Sequence, residues 1–184
     1  AVFFHGYDIS RYLDIHGENT YNYLFEQADI LLPISQHWQK KLIDLGGNPN
    51  KTLVHHMGID CIKFNYIKPS SQEQFSLLSV ARLVEKKGLE YSIRAVAQLI
   101  PHYPNLQYRI IGDGVLKQEL ENLIKQLNVS NHIKLLGWKQ QQEIISIMEN
   151  SALILAPSVT SHDGDCEGIP VCLMESMAKG LPVI

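Results

Sequence analysis

The amino-acid sequence predicts an α/β protein built on doubly wound parallel sheets. Two observations carry this expectation. Short apolar runs alternate with helical patterns from end to end, and the helical patterns are regular. Leu89, Ile93, Val96 and Ile100 are spaced 4, 3, 4, as are Leu116, Leu120, Leu123 and Leu127. Strand–helix alternation of this kind reads as a parallel sheet covered on both faces.

Taken in order, the expected strands are Val2–Phe4, Asp29–Ile34, Thr52–Met57, Phe75–Ala81 and Gln107–Gly112. His132–Gly137, Ala152–Ser158 and a terminal Pro182–Ile184 follow. Near the end, Pro170 fits only the first turn of a helix, so the next helix is expected to start there. Gly180 is placed to end it. One composition shift interrupts the alternation: "CIKFNYIKPSSQEQ" is polar and contains Pro-Ser-Ser. The expected division is therefore residues 1–62 as part of one domain, 63–74 as a linker and 75–184 as a second domain. The first part offers about three strands, too few for a complete doubly wound domain. Because the chain opens on "AVFFHG" and closes as a strand begins, both ends are expected to be cuts in a longer protein.

At 184 residues, with 45% apolar and 19% charged residues, the chain can bury a sizeable core. A formal net charge of −3 gives no support to nucleic-acid binding, which calls for a basic stripe. The three cysteines form no CxxC and cannot all pair, which favours a reduced, cytoplasmic protein. The eight histidines show neither HExxH nor finger-like spacing, so no metal site is expected. No apolar run reaches the ~18 residues of a membrane span.

In open parallel sheets, ligands bind beyond the carboxyl ends of the strands, so the residues there matter most. After Phe75–Ala81 comes "RLVEKKG", with Arg82, Lys86 and Lys87. An Arg fork and a Lys point charge suit a diphosphate, although a solvated basic loop reads the same way. "GDGVLKQEL" after Gln107–Gly112 lacks GxGxxG and means only a tight turn. Gly137 and Trp138 follow the next strand, where a glycine permits close backbone approach to a flat ring.

The stretch "SVTSHDGDCEGIPVCLMESMAKG" is the most informative. Its helix aims backbone N–H groups and a positive dipole end at the edge that carries Arg82 and Lys87. Glu175, about a turn into that helix, suits a ribose diol, and Glu167, in the loop before it, could face a sugar hydroxyl. Singly, Glu175 reads equally as a surface helix glutamate and Glu167 as a dipole-favoured cap acid. Cations, helix N-terminus and both carboxylates together point to a nucleotide sugar. "HDGD" contains Asp-x-Asp, a metal-binding spelling elsewhere, but the phosphate charge here already has protein partners.

"EGIPVCLMESMAKGLPVI" resembles the E-x7-E signature of the group 1 (family 4) retaining glycosyltransferases. "SVARLVEKKGLEYSIRA" resembles that family's strand–Arg–Lys–Gly–helix element, and "GGNPNKTLVHHMGIDCIKF" its approach to the interdomain linker. "FFHGYDIS" and "PSVTSHDGDCEGIPV" are most similar to bacterial exopolysaccharide enzymes of the colanic-acid and amylovoran type.

The resemblance implies a GT-B fold, two Rossmann-like domains with the donor bound by the C-terminal one. It implies Arg82 and Lys87 on the diphosphate, Glu175 on the ribose, and Gly137 and Trp138 at the base. Glu167, with the backbone N–H groups of Gly168 and Ile169, would approach the donor sugar, as would His5. Without the resemblance, His5 reads better as a core histidine at a strand end. The implied reaction transfers a sugar from a nucleoside-diphosphate sugar to a glycan or lipid-linked acceptor, with retention, without a required metal or cofactor and without nucleic acid. The implied location is the cytoplasm, with the inner face of the membrane open to the full-length protein. A sugar-nucleotide epimerase of the same fold, or a non-catalytic nucleotide-sugar-binding module, is the alternative. The chain as it stands is expected to bind nucleotide but to transfer no sugar.

Overall fold

The computed structural model describes residues 1–66 and 75–184. The expected linker over 63–74 thus falls, from 67 on, outside the described residues. The chain forms two compact units. One comprises Ala1–Gly58 with Thr160–Ile169, the other Ile59–Val159 with Pro170–Ile184.

In the first unit, β1 (Val2–Phe4) and β2 (Leu31–Pro33) pair in parallel. Between them run α1 (Gly6–Ile9), α2 (Arg11–His16) and α3 (Asn22–Gln27), and α4 (Gln36–Asp44) follows β2. Ser35 caps α4 by accepting from the Trp38 N–H at 3.3 Å. Phe4, Ile9, Phe25, Leu31, Trp38 and Leu42 form the core, and Cys166 and Ile169 of the returning segment pack against it.

The expected strand Thr52–Met57 reduces to an isolated bridge between Thr52 and Leu31. Backbone bonds from Leu53 to Leu31 and from His55 to Pro33 keep it extended. Pro33 has no N–H to return, so the ladder cannot continue.

The second unit carries a four-stranded sheet in the order β5-β4-β3-β6, with every neighbouring pair parallel. Its strands are β3 (Ser76–Val80), β4 (Gln107–Ile111), β5 (Ile133–Gly137) and β6 (Leu153–Ile154). Connecting them are α5 (Leu89–Leu99), α6 (Lys117–Gln126) and α7 (Gln141–Glu149), with α8 (Val171–Ala178) after β6. Adjacent residues serve opposite faces. Leu77 and Ile110 join a core with Leu89, Ile93, Val96 and Leu120. Leu78 and Ile111 join another with Phe64, Met148, Ile154 and Leu181. Apolar burial on both faces is what a strand buried in a parallel sheet requires.

The last two strands of the expected list are shorter than predicted. Ala152–Ser158 contributes only Leu153–Ile154, because Pro157 lacks an N–H to extend it. Pro182–Ile184 contributes only a bridge at Val183 beside Ile154. Phe64, inside the expected linker, is 3% exposed and belongs to the core.

The chain steps outward from β3 through β4 to β5, then crosses to the other side of β3 for β6. That reversal leaves a crevice beyond the carboxyl ends of β3 and β6, where ligands of open α/β sheets bind. Among the described residues, no helix is long and apolar enough to cross a membrane.

Candidate functional site

Arg82 and Lys87 stand just beyond β3, at this reversal. Arg82 is exposed and lines an open cleft of about 280 Å³ with Gly112, Asp113, Trp138 and Lys139. Trp138 presents 70% of its surface, and the space where Gly137 would carry a side chain is open. Asp113 is held by the Gly114 N–H at 2.8 Å and faces Lys117 at 3.6 Å.

Lys87 lines a second, smaller crevice with Ser158, Pro170 and Cys172, the last two at the start of α8. Val80 and Ala81 border both spaces, so the end of β3 joins them. Lys86, read from sequence as part of a basic loop, is instead buried at 7% exposure. Its carbonyl accepts from Val159 N–H at 2.9 Å, which ties the Lys86–Lys87 turn to the segment after β6.

Helix α8 starts after Pro170 with no side-chain cap, and its start lines the crevice. Its far end is closed by Gly180 at φ +82. Gly180 N–H bonds the Met177 carbonyl at 3.0 Å and Leu181 N–H bonds that of Ser176 at 2.9 Å, a Schellman ending. Lys179, buried, reaches Glu149 of α7 at 2.7 Å and fixes the helix from beneath. Glu175, half-buried on α8, lines neither space. Burial pushes its carboxyl above the ordinary glutamate value, and the positive charge of Lys63 partly opposes this.

His5 and Glu167 belong to the other unit. His5 is exposed, so the core-histidine reading is wrong. It sits at the β1–α1 corner, where its backbone N–H donates to Asp8 Oδ2 at 2.8 Å and the ring stays outside. Glu167 lies in the half-buried loop that packs on this same corner. A methyl group on Gly6 would stand 2.8 Å from Gly168 N and 3.0 Å from Cys166 O. One on Gly168 would stand 2.8 Å from Ile34 Cδ1. At Gly6 only glycine lets the two backbones meet, whereas at Gly168 the Ile34 side chain would have to give way. Ile169 then enters the core of that unit.

Sequence reasoning missed a buried hydroxyl network under the crevice. The fully buried Tyr108 hydroxyl lies 2.7 Å from Ser79 Oγ and 2.8 Å from Ser92 Oγ. Ser79 Oγ also donates to the Leu155 carbonyl at 2.6 Å. It ties β3, β4 and α5 to the segment after β6, and burial pushes the Tyr108 phenol up to about 12. Serines inside a strand and a helix look merely small in sequence. No group of three or more His, Cys, Asp or Glu that could hold a metal occurs among the described residues.

The parallel α/β fold is that of the GT-B glycosyltransferases, and solved structures bear the fold out. The chain superposes on an Anabaena protein, HepE, in complex with UDP, with TM-score 0.74 and 25% identity over 88% of this chain and 46% of that one. With the same protein in complex with UDP-glucose the TM-score is 0.79 at 24% identity, covering 99% of this chain and 52% of that one.

The chain belongs to the group 1 glycosyl transferases, whose family model matches residues 63–184. It is 45% identical to the amylovoran biosynthesis glycosyltransferase AmsK of Erwinia amylovora over 98% of its own length and 45% of the relative's. It is 40% identical to WcaL of Salmonella typhimurium, named for colanic acid biosynthesis, over 100% of its own length and 46% of the relative's. The chain thus spans about half the length of these relatives.

Proposed function

We propose that the protein transfers a sugar from a nucleoside-diphosphate sugar to a glycan or lipid-linked acceptor in exopolysaccharide synthesis, with retention at the anomeric carbon. One observation carries this reading most: Arg82, Lys87 and the uncapped start of α8 surround the end of β3 at the point where the strand order reverses. The exopolysaccharide assignment is supported by the names of the relatives. The nucleotide is supported by the UDP bound to HepE. A cytoplasmic setting accords with three cysteines that form no CxxC and cannot all pair.

The base would lie in the cleft at Trp138 and Gly137, the diphosphate would cross Ala81 past Arg82 to Lys87 and α8, and Glu175 would accept from the ribose hydroxyls. Breaking the anomeric bond leaves an oxocarbenium-like sugar and a diphosphate with added negative charge. Arg82, Lys87 and the α8 dipole stabilise that leaving group, and each such donor is worth about 3 kcal/mol in the transition state. His5, Glu167 and the Gly168 and Ile169 N–H groups would attend the sugar. Departing phosphate would take the acceptor proton on the same face, which accounts for retention.

Calorimetry with UDP, GDP and ADP tests the donor side directly. One of the three should bind the complete protein in the micromolar range, and Arg82→Ala or Lys87→Ala should weaken it at least tenfold and lower turnover more. Unchanged affinity and rate in both variants would move the diphosphate elsewhere.

A further inference from the structure

We infer that Arg11 and Asp163 are positioning residues, a clasp that sets the place of Glu167 beside His5. The inference rests on the sugar-transfer reading for its catalytic consequence, but the clasp itself stands on geometry. Arg11, on α2, meets Asp163 Oδ2 through Nε at 3.1 Å. Asp163 is in turn oriented from within its loop: Ser161 Oγ donates to its Oδ1 at 2.6 Å and Asp165 N–H at 3.3 Å. These bonds, with Arg11 behind them, hold the carboxyl below the ordinary aspartate range.

The next residue, Gly164, lies so close to α2 that a methyl group there would stand 2.8 Å from Asp14 Oδ2. Glu167 is therefore bracketed. On its N-terminal side the loop is pinned to α2 at 163–164, and on its C-terminal side it is wedged against Gly6 and Ile34. The second anchor is a close steric contact, of the Gly6 backbone with Cys166 and Gly168 and of Ile34 with Gly168. The charged pair fixes the register of the three residues, 165–167, between the anchors.

Both partners are about one-third exposed, so the pair adds little to overall stability. Its effect should appear in geometry, where a displacement of about 1 Å can cost about 100-fold in rate.

Arg11→Ala, Asp163→Ala and the double variant test this in the complete protein, beside Arg11→Lys. Each alanine variant should lower kcat by about 10- to 100-fold. Donor KM and nucleoside-diphosphate affinity should stay within about twofold of wild type, and the melting temperature should hold. The double variant should be no worse than either single, since one interaction is lost once. Arg11→Lys should recover part of the rate. Amide hydrogen exchange supplies a readout that needs no turnover: residues 160–169 should exchange faster in both alanine variants, with β3 and β4 unchanged. Wild-type exchange in that loop, or wild-type kcat in both alanine variants, would overturn the clasp. A wild-type protein that transfers no sugar from any nucleotide would instead overturn the functional reading, and the exchange result would still decide the clasp.

Discussion

Glu175 is a proposed site residue whose acidity its surroundings alter. Half-buried on α8, it carries a carboxyl raised above its ordinary value by desolvation, with Lys63 drawing it back. The ionised form is the one that accepts two hydroxyl hydrogens from a ribose, and the protonated form gives up an acceptor. Nucleoside-diphosphate affinity should therefore fall as pH drops through a value higher than that of a free glutamate. The phosphate titrates too, so the contrast that matters is wild type against Glu175→Gln with the same ligand. The variant should bind more weakly at neutral pH and show a flatter acid limb, while inorganic pyrophosphate should bind both alike. Parallel pH profiles for the two proteins would remove Glu175 from the ribose. For the unliganded fold the sign is opposite: with its folded pKa raised, Glu175 favours folding below its unfolded value and loses that contribution as pH rises through the folded one. Glu175→Gln should consequently melt no lower than wild type at neutral pH.

Elements, unlike single residues, were largely legible in advance, and the exceptions have physical causes. β3, β4 and β5 fall within a residue or two of their expected spans because each is apolar, bounded by polar turns and paired. α8 was readable from Pro170 and Gly180 alone, since one fixes where a helix can begin and the other how it ends. Thr52–Met57 and Ala152–Ser158 were over-read because strand length at a sheet edge depends on what the neighbour can donate, and prolines at 33 and 157 donate nothing. The clasp could not be seen at all: nothing local marks Arg11 and Asp163 as partners. A turn that was read only as basic proves structural too. Gly88, at φ +59, ends the 3-10 turn of Glu85–Lys87 and opens α5. A methyl group there would stand 1.9 Å from the Pro157 carbonyl oxygen. The left-handed backbone alone costs a non-glycine residue about 1–2 kcal/mol, and Pro157 would also have to move. Gly88→Ala should lose more than about 2 kcal/mol in denaturant unfolding, and should weaken nucleotide binding because Pro157 and Lys87 share a crevice. An unchanged midpoint would mean the turn relaxes without strain.

At the scale of the whole molecule, the residues proposed for one reaction are divided between two units. Arg82, Lys87, Trp138 and Glu175 belong to the second, while His5 and Glu167 belong to the first, the latter through the returning segment Thr160–Ile169. Sequence order hides this division, because Glu167 and Glu175 are near neighbours in the chain and read as one motif. It gives the two groups separable duties. The second unit should hold the nucleotide without help, since the residues proposed for base and diphosphate and the start of α8 are all its own. The first should matter only where the sugar is, and binding energy used only in the transition state appears in kcat rather than in affinity. His5→Ala and Glu167→Gln should therefore leave nucleoside-diphosphate affinity within about twofold of wild type while lowering kcat by at least about 100-fold, the scale on which a positioned acid, base or hydrogen-bonding group acts. Arg82→Ala should do the reverse first, losing affinity for UDP or its counterpart as well as rate. Calorimetry and single-turnover transfer on the same preparations separate the two patterns. If His5→Ala weakens nucleotide binding as much as Arg82→Ala does, the division of labour is wrong, and the first unit must be assigned a share in holding the nucleotide.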